Sequence, residues 1–524
     1  MGQPQLYHRL SKKVILCGDG PIQGGLQFLP LNDIEEAITA ESIAAKQSWC
    51  SLLWTSWHTL VEDIRDHQPG KQMRRVIGLL GLCDKQGDIL NLLREGLTDQ
   101  HLPFEWKKIT GCPDILVSRQ QKVFRSFSSW KESEVDQLYR LQWGVLAPEF
   151  TRRGEHIYID GRIPLPVYNI ETIMQVDKRA VYSARLHVAN SMPTAENHTQ
   201  IAIKSFSEYD DFKKEMDNLG KIQALNHPHL IQHIATVQQG TRFYAIFDWA
   251  DGGDLTDFWR RDSKAFQTRG PELVVWCFQQ MLGLVDALFV LHEMNYRHGD
   301  LKPGNILHFK DSKNSDVPHS KYGRLVITDV GISKYHHQVT EFRRGGTNTT
   351  ASTLDYEAPE AELDRDKPEG EKEPRSRKYD MWSVGCILKE FIIWLLYGNK
   401  PIEDFRKIRK RGSDKAPYYT VANTKTGAAT VKNAEIHPAV SRGFKALKED
   451  PRCAESTGLA ALVSLIENHL IVIKPEKRAT AHQLRDELRK ILRKADDGFL
   501  TESIESPTSI PSTFKFTVKQ DGNY

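Results

Sequence analysis

The sequence lacks the features that mark secreted, zinc-binding and membrane-spanning proteins. Its seven cysteines are odd in number, scattered, and without a C-x-x-C pair, which argues against a disulfide framework or a zinc site. The N-terminus has no apolar core of signal-peptide length, and the most apolar stretch, Cys386–Tyr397, is too short to span a bilayer. We therefore expect an intracellular protein without a membrane partner, located in the cytoplasm or, as the alternative, in the nucleus.

The chain also lacks a large excess of charge. Its 71 Lys and Arg residues against 68 Asp and Glu residues give a net charge of +3, so no bulk attraction to nucleic acid is expected. One basic run, Arg406–Arg411, is interpreted as a solvated surface, with nuclear import or an acidic partner as the alternative. A content of 40% hydrophobic and 27% charged residues is that of a globular protein, and 524 residues predict two or three domains.

The most informative stretch is residues 296–307, which read Tyr-Arg-His-Gly-Asp-Leu-Lys-Pro-Gly-Asn-Ile-Leu. This spacing suits phosphoryl transfer from a nucleotide. The carboxylate of Asp300 can accept the proton of an attacking hydroxyl, the ammonium of Lys302 can neutralise the moving phosphate, and the side chain of Asn305 can hold Mg²⁺. The stretch resembles the catalytic loop of the eukaryotic protein kinase superfamily, in which His-Arg-Asp is usual.

The sequence His-Gly-Asp-Leu is also compatible with a second family. It also resembles the small-molecule phosphotransferases of the aminoglycoside and choline type, which share the same base and metal chemistry. Those enzymes usually carry histidine where this chain has Lys302. The loop alone therefore does not decide the substrate, and the remaining motifs must.

The motifs after the loop come in the order found in protein kinases. Asp329-Val330-Gly331 resembles the Asp-Phe-Gly element and implies that Asp329 is the main Mg²⁺ ligand. Ala358-Pro359-Glu360 resembles the Ala-Pro-Glu element. Thr353 aligns with the threonine that tethers the catalytic base and lysine in serine/threonine kinases.

Two further elements resemble the large lobe of that family. Asp380–Gly385 matches the Asp-x-Trp-Ser-x-Gly signature, and Arg478 fits the arginine that pairs with Glu360. Aminoglycoside-type phosphotransferases lack these elements, which favours a protein substrate. Lys302 favours the hydroxyls of Ser and Thr over those of Tyr.

The same resemblance implies a set of nucleotide-binding residues. Lys204, in Ala202-Ile203-Lys204, takes the place of the V-A-I-K lysine, which pairs with the α- and β-phosphates of ATP. A helix predicted over about Tyr209–Leu225 offers Glu215 as its partner, although the usual position holds Asn218. Val181 and Ala202 are further implied ATP-binding residues, beside Lys204 and Glu215. The backbone of Asp248 and Ala250 is implied to bind the adenine, and Asp254 is implied to bind the ribose.

The glycine-rich loop of the family is missing. The stretch that aligns with it, Met174–Ala180, contains no glycine. Glycines let backbone amides approach the phosphates closely, and side chains hinder this approach. A pseudokinase with little or no turnover is therefore the second hypothesis, against which the complete set of Asp300, Asn305 and Asp329 argues.

The region before the kinase-like motifs has its own helical pattern. Apolar residues at three- and four-residue steps predict an amphipathic helix from Asp33 to Ile64 and a second over Arg74–Leu97, broken near Gly87. We expect a helical docking or regulatory domain here, with a partner that the sequence does not name.

These observations predict an α+β fold. It consists of a two-lobed protein kinase, with a small antiparallel β lobe and a large, mainly helical lobe, and an additional mainly α N-terminal domain. The expected domains are residues 1–160 (N-terminal), 165–250 (small lobe), 251–495 (large lobe) and 496–524 (flexible tail). The expected activity is transfer of the γ-phosphate of ATP, with Mg²⁺, to Ser or Thr hydroxyls of a protein substrate.

Overall fold

The computed structural model describes most of the 524-residue chain. The described residues are 6–17, 22, 24–39, 72–108, 114–176, 179–187, 190, 198–261, 271–310, 322–330, 354–365, 367–368, 375–410, 415–426, 429–494 and 510–515. The chain forms two compact units, the first made of residues 1–220 and 232–249 and the second of residues 221–231 and 250–524.

The first unit contains a large sheet, two small hairpins and short helices. Its strands are β1 (Ile15–Leu16), β2 (Gln27–Phe28), β3 (Phe104–Lys107), β4 (Ile115–Ser118), β5 (Glu155–Ile159), β6 (Val167–Val176), β7 (Arg179–His187), β8 (His198–Phe206), β9 (His233–Gln239) and β10 (Arg242–Asp248). Its helices are α1 (Leu6–Ser11), α2 (Leu31–Ala37), α3 (Arg74–Leu82), α4 (Ile89–Arg94), α5 (Glu132–Leu141) and α6 (Tyr209–Leu225). The last turn of α6, from residue 221, belongs to the second unit. Strands β1–β2 and β3–β4 form the hairpins, and the other strands form one sheet in the order β5-β9-β10-β8-β7-β6.

The six-stranded sheet carries a different layer on each face. Its pairs from β6 to β9 are antiparallel, whereas β5 lies parallel to β9. Because side chains alternate between the faces of a strand, Ile203 and Lys204 point to opposite sides. Ile22 from the N-terminal region covers the Ile203 face, and α6 covers the other face through Phe212.

The N-terminal region is mainly helical, as predicted, and has its own hydrophobic core. The break predicted near Gly87 is confirmed, since α3 ends at Leu82 and α4 begins at Ile89. Of the helix predicted from Asp33, α2 accounts for the first turns, and residues 40–71 lie outside the described part of the chain.

This region is joined to the large sheet within one unit. The carbonyl of Ile22 accepts hydrogen bonds from Arg242 Nη1 (3.0 Å) and from the Tyr244 hydroxyl (3.3 Å). Asn190 Nδ2 donates to the carbonyl of Pro148 at 3.1 Å. The boundary predicted near residue 160 therefore falls inside a compact unit, and the docking role of residues 1–160 stays a prediction.

The second unit is mainly helical. Its helices are α7 (Leu255–Arg260), α8 (Pro271–Glu293), α9 (Pro359–Leu363), α10 (Lys378–Tyr397), α11 (Asn399–Arg409), α12 (Pro438–Lys448), α13 (Gly458–His469) and α14 (Ala481–Arg493). Its strands form two antiparallel hairpins, β11 (Ile306–Phe309) with β12 (Arg324–Ile327), and β13 (Tyr419–Thr426) with β14 (Ala429–Ile436).

Helix α10 is the centre of the second core. Its residues are buried without interruption from Tyr379 to Tyr397, as expected of a helix that is apolar on every side. Helix α8 packs in the same core. By length and composition alone α8 is apolar enough to cross a bilayer, but 61% of its apolar window is buried inside the protein, so this property is explained by core packing.

One buried ion pair connects distant segments of this unit. Arg478 donates two hydrogen bonds of 2.7 Å to the carboxylate of Glu360, which confirms the predicted pair. The guanidinium of Arg478 also donates to the carbonyls of Val472 (2.7 Å) and Ile473 (2.9 Å). The buried cation therefore has its hydrogen-bonding capacity met, as a buried charge requires.

The C-terminal region has one anchored segment. Phe514 is fully buried, and its ring contacts those of Tyr397 and Phe405 at centroid distances of 5.6 and 5.7 Å. Within the predicted flexible tail, residues 510–515 are thus fixed to the core, while residues 495–509 and 516–524 lie outside the described residues.

His229 is a titratable group enclosed by the second unit. Its Nδ1 donates to the carbonyl of Leu325 at 2.7 Å, and its ring fills the space that a side chain at Gly283 would need, since a Cβ there would lie 2.1 Å from Nε2. Burial lowers the pKa of His229 to about 4, although the hydrogen bond to Leu325 opposes the shift. The neutral ring is therefore the form that the fold selects.

We predict that acid weakens the second unit through His229. The folded pKa lies below the ordinary value of 6.5, so the unfolded chain binds the proton first; the stability is fully present above pH 6.5 and is lost as the pH falls toward 4. Replacement of His229 by Asn keeps a donor for the carbonyl of Leu325. The free energy of unfolding of this variant should fall by about 2 kcal/mol less than that of the wild type between pH 7 and pH 4.5. Urea unfolding followed by tryptophan fluorescence measures this.

The exposed His482 provides the matched control. A His482→Asn variant should show the same pH dependence as the wild type. An equal loss of stability in His229→Asn and in the wild type would contradict the account of His229.

Candidate active site

The loop between α8 and β11 is held by a buried carboxylate. Asp380, near the start of α10, is completely buried. Its oxygens accept hydrogen bonds from the backbone amides of His298 (2.8 Å) and Gly299 (2.9 Å) and from Nε2 of His292 (2.9 Å). Three donors from two segments thus converge on one side chain, and this fixes the path of the backbone immediately before Asp300.

The same contacts keep Asp380 charged. Burial by itself raises the pKa of this carboxyl, but the hydrogen bond of His292 and the amide of Gly299 outweigh it, so the pKa lies below its usual value. Asp380 is therefore an ionised acceptor at neutral pH, and hydrogen bonds to an ionised acceptor are the stronger kind.

His298 connects this loop to the strand that leads to Asp329. Its ring is fully buried, Nδ1 accepts the amide of Asp300 at 3.3 Å, and Nε2 donates to the carbonyl of Thr328 at 2.9 Å. The adjacent Gly299 has a φ of +79°, a left-handed conformation that glycine adopts without strain. Glycine at this position thus suits the tight path of the loop.

The structure brings Asp300, Lys302 and Asn305 together. Oδ2 of Asp300 accepts from Lys302 Nζ at 3.0 Å and from Asn305 Nδ2 at 3.3 Å, and Asn305 Nδ2 also donates to the carbonyl of Asp300 at 2.7 Å. Lys302 and Asn305 are buried, whereas the Asp300 side chain is 33% exposed. Two fixed donors therefore orient a carboxylate that solvent and a substrate can reach.

Asn305 and Asp329 are placed by neighbouring backbone. The amide of Thr328 donates to the carbonyl of Asn305 at 3.0 Å, and the next residue, Asp329, is exposed with a left-handed φ of +53°. A left-handed backbone at a non-glycine residue raises the conformational free energy by about 1 kcal/mol. Such strain is concentrated at functional sites.

These two side chains fit Mg²⁺. The amide nitrogen of Asn305 is used on Asp300, so Oδ1 is its atom suited to a cation, and Asp329 offers a carboxylate. Mg²⁺ prefers oxygen ligands and commonly takes one or two protein groups together with phosphates and water. Among the residues with a described structure, no cluster of three or more His, Cys, Asp or Glu side chains forms a self-sufficient metal site.

In the first unit, Lys204 and Glu215 meet. Lys204 Nζ donates to Glu215 Oε1 at 2.8 Å, and both side chains are less than a quarter exposed. Helix α6 spans Tyr209–Leu225 as predicted, and Glu215, one turn before Asn218, is the residue that reaches the lysine. Val181 lies directly opposite Lys204 in the sheet.

The other implied nucleotide-binding residues lie as follows. Ala202 is opposite Ser183 on one side and Phe247 on the other. Asp254 caps the N-terminus of α7, and its Oδ1 accepts the amide of Asp257 at 2.9 Å. Its Oδ2 would lie 3.7 Å from a Cβ at Gly304, so Asp254 is beside the loop that contains Asp300 and Asn305. Ala250 is in the same unit, and Thr353 lies outside the described residues.

Two interactions at these residues were missed from the sequence. Both oxygens of Asp248 accept hydrogen bonds from Arg153, at 2.7 and 3.1 Å, so this side chain joins the sheet to the segment before β5. Asp380 was assigned to a family signature only, without its contacts to the loop. Each contact joins residues more than 80 positions apart, and nothing in the local pattern indicates such a pair.

Comparison with known proteins agrees with this geometry. Residues 188–488, more than half of the chain, match the protein kinase domain family. The chain belongs to the protein kinase family. Its sheet-rich first unit and helical second unit confirm the predicted two-lobed kinase fold with a helix-containing N-terminal part. The kinase match begins only after β7, so the glycine-free hairpin β6–β7 precedes it.

Individual protein kinases are similar over shorter stretches. The chain is 29% identical over 171 residues to a calcium/calmodulin-dependent protein kinase of Emericella nidulans, covering 33% of this chain and 35% of that protein. It is 28% identical over 169 residues to one of Metarhizium anisopliae (32% and 37%). It is 29% identical over 180 residues to the serine/threonine-protein kinase Sgk1-B of Xenopus laevis (34% and 34%). The chain thus aligns with less than half the length of these kinases.

We predict that the loop before Asp300 depends on the charge of Asp380. An Asp380→Asn variant keeps the shape but places an amide group where two backbone amides and His292 need acceptors. Leaving buried donors unpaired should lower the free energy of unfolding by about 3 kcal/mol. Chemical denaturation measures this loss.

An Asp486→Asn variant is the control, because that carboxylate is 41% exposed and surface changes are usually within about 0.5 kcal/mol. Equal unfolding midpoints for Asp380→Asn and the wild type would show that the buried contacts do not fix the loop.

Proposed function

We propose that this protein kinase transfers the γ-phosphate of ATP, in the presence of Mg²⁺, to the hydroxyls of Ser and Thr in protein substrates. The observation that carries the proposal is the constellation of Asp300, Lys302 and Asn305, joined by hydrogen bonds of 2.7 to 3.3 Å. A protein that only binds would have no need for a base, a cation and a metal-binding amide held in one geometry.

The roles follow from the contacts of each side chain. The carboxylate of Asp300, oriented by two donors, positions the acceptor hydroxyl and takes its proton. Lys302, bonded to the same carboxylate, supplies a positive charge beside the reacting oxygen. The nucleotide and its Mg²⁺, when bound, supply the phosphoryl group and neutralise its charge.

The remaining residues would hold the nucleotide. Asn305 and Asp329 would ligate Mg²⁺ through oxygen atoms. Lys204, kept in place by Glu215, would bind the α- and β-phosphates, and Val181 and Ala202, on the same face of the sheet as Lys204, would contact the adenine. The backbone of Asp248 and Ala250 would bind its edge, and Asp254 would bind the ribose.

The choice of Ser and Thr has separate support. Lys302 is the residue expected in serine/threonine kinases, and Thr353 aligns with their tethering threonine. The serine/threonine-protein kinase Sgk1-B of Xenopus laevis is 29% identical to this chain over 180 residues. We further propose a cytoplasmic location and a regulatory role for residues 1–160, as the sequence favours.

A pseudokinase is the second candidate, and one observation favours it. The stretch Met174–Ala180 contains no glycine, and its described residues end β6 at Val176 and begin β7 at Arg179, so backbone amides there approach phosphates less easily. Under this alternative the protein would bind a partner and transfer no phosphate.

Removing the base separates the two candidates. We predict that Asp300→Asn lowers incorporation of labelled γ-phosphate into a generic protein substrate by at least a hundredfold, since general-base catalysis contributes about 10²–10⁴ in rate. Lys302 and Asn305 would keep a polar partner at position 300, so the variant should unfold at the same temperature as the wild type.

The control is Asp217→Asn, which changes an exposed carboxylate of α6. It should transfer phosphate like the wild type, and omission of Mg²⁺ should stop both. Equal rates in Asp300→Asn and the wild type would remove Asp300 from the mechanism. A folded wild type that binds ATP and transfers nothing would favour the pseudokinase.

A further inference from the structure

The tip of the β6–β7 hairpin carries side chains where close backbone approach is usual. The two strands remain paired up to Val176 opposite Arg179, and no residue from Met174 to Ala180 is glycine. The backbone amides of such a tip are screened by side chains. If the site is to hold a polyphosphate firmly, a side chain must supply positive charge there.

Arg179 lies on the face of the sheet that carries Lys204. Val181 pairs directly with Lys204 across β7 and β8, and residues two apart on a strand share a face. Arg179 is therefore on this face, at the end of β7 next to the tip, where it pairs with Phe206. The sheet thus presents Lys204 and, next to the tip, Arg179 on one surface.

Both cations are held by carboxylates on one side of α6. Arg179 Nη2 donates to Asp211 Oδ2 at 3.2 Å, and Lys204 Nζ donates to Glu215 Oε1 at 2.8 Å. Asp211 and Glu215 are four residues apart, which places them one above the other on the helix surface. The two ion pairs therefore run side by side from the sheet to the helix.

The two pairs differ in their exposure. The side chains of Arg179 and Asp211 are 34% and 35% exposed, whereas those of Lys204 and Glu215 are 17% and 24% exposed. The guanidinium of Arg179 is thus oriented by Asp211 and still open to a ligand from solvent. Guanidinium matches phosphate oxygens with two parallel hydrogen bonds.

We propose that Arg179 is a phosphate-binding residue of the nucleotide site and is oriented by Asp211. Its guanidinium would donate hydrogen bonds to the phosphates in place of the backbone amides of a glycine-rich loop. The proposal rests on the proposed function in that the ligand is a nucleoside polyphosphate. It concerns binding, so it can hold even if phosphate transfer does not occur.

A purely structural role for Arg179 has less support. An ion pair that is a third exposed contributes only about 0–1 kcal/mol to stability. Helix α6 has stronger attachments to the sheet, since Phe212 is buried and stacks on Phe243 at a centroid distance of 5.2 Å. The fold should therefore tolerate the loss of Arg179, and a change in ligand binding can be read separately.

The test is titration calorimetry of the full chain with ATP, ADP and adenosine, all with Mg²⁺. Arg179→Gln should weaken the affinity for ATP and ADP about tenfold, because one charged hydrogen-bonding partner of the phosphates is lost. Its affinity for adenosine should stay within twofold of the wild type. The ATP affinity of Arg179→Lys should lie between those of the wild type and Arg179→Gln, because lysine keeps the positive charge but cannot donate two parallel hydrogen bonds. Asp211→Asn should weaken ATP less than Arg179→Gln, because it only releases the guanidinium.

Arg185→Gln is the matched control, since Arg185 is an exposed arginine on the same strand. It should bind all three ligands like the wild type. Equal weakening of ATP and adenosine in Arg179→Gln would overturn the proposal in favour of a structural role, as would unchanged ATP binding or a wild type without preference for ATP over adenosine. Arg179-dependent ATP binding without any phosphate transfer would support this proposal and contradict the proposed kinase activity.

Discussion

The carboxylate of Asp380, buried at the start of α10, is the constraint on which the active-site geometry depends. It collects the amides of His298 and Gly299 and the ring of His292, and so sets the backbone that leads into Asp300. A flexible loop would sample many side-chain arrangements, whereas this one holds Asp300, Lys302 and Asn305 within hydrogen-bonding distance. Preorganisation of this kind is what positioned catalysis requires. A fully buried carboxylate thus orients the exposed carboxylate of Asp300.

The first unit supplies the positive charges that are proposed to bind the phosphates of the nucleotide. Its hairpin tip lacks the glycines that normally let a backbone surround phosphates, yet its sheet offers Lys204 and Arg179 on one face, each paired with a carboxylate of α6. The opposite face is covered by Ile22 and other residues from outside the kinase match. The N-terminal region therefore contributes directly to the packing of the sheet, which ties the position of the two cations to residues that precede the kinase domain.

The sequence was sufficient for local features and insufficient for distant contacts. The spacing of Asp300, Lys302 and Asn305, the bounds of α6 and the break near Gly87 are local patterns, and the structure contains all three features. The ion pair of Arg153 with Asp248, the parallel strand β5 and the burial of Phe514 join segments far apart in the chain. Their formation depends on tertiary packing, which propensity and periodicity do not encode.

We propose that the fixed loop makes this protein kinase a working phosphotransferase although the stretch Met174–Ala180 lacks glycine. The most direct measurement is a single turnover, with the protein in excess over γ-labelled ATP, Mg²⁺ present and a serine-containing protein as acceptor. The account predicts that the label moves from ATP to Ser or Thr hydroxyls as a single exponential. Label that stays on ATP, while calorimetry on the same sample shows the nucleotide bound, would contradict it.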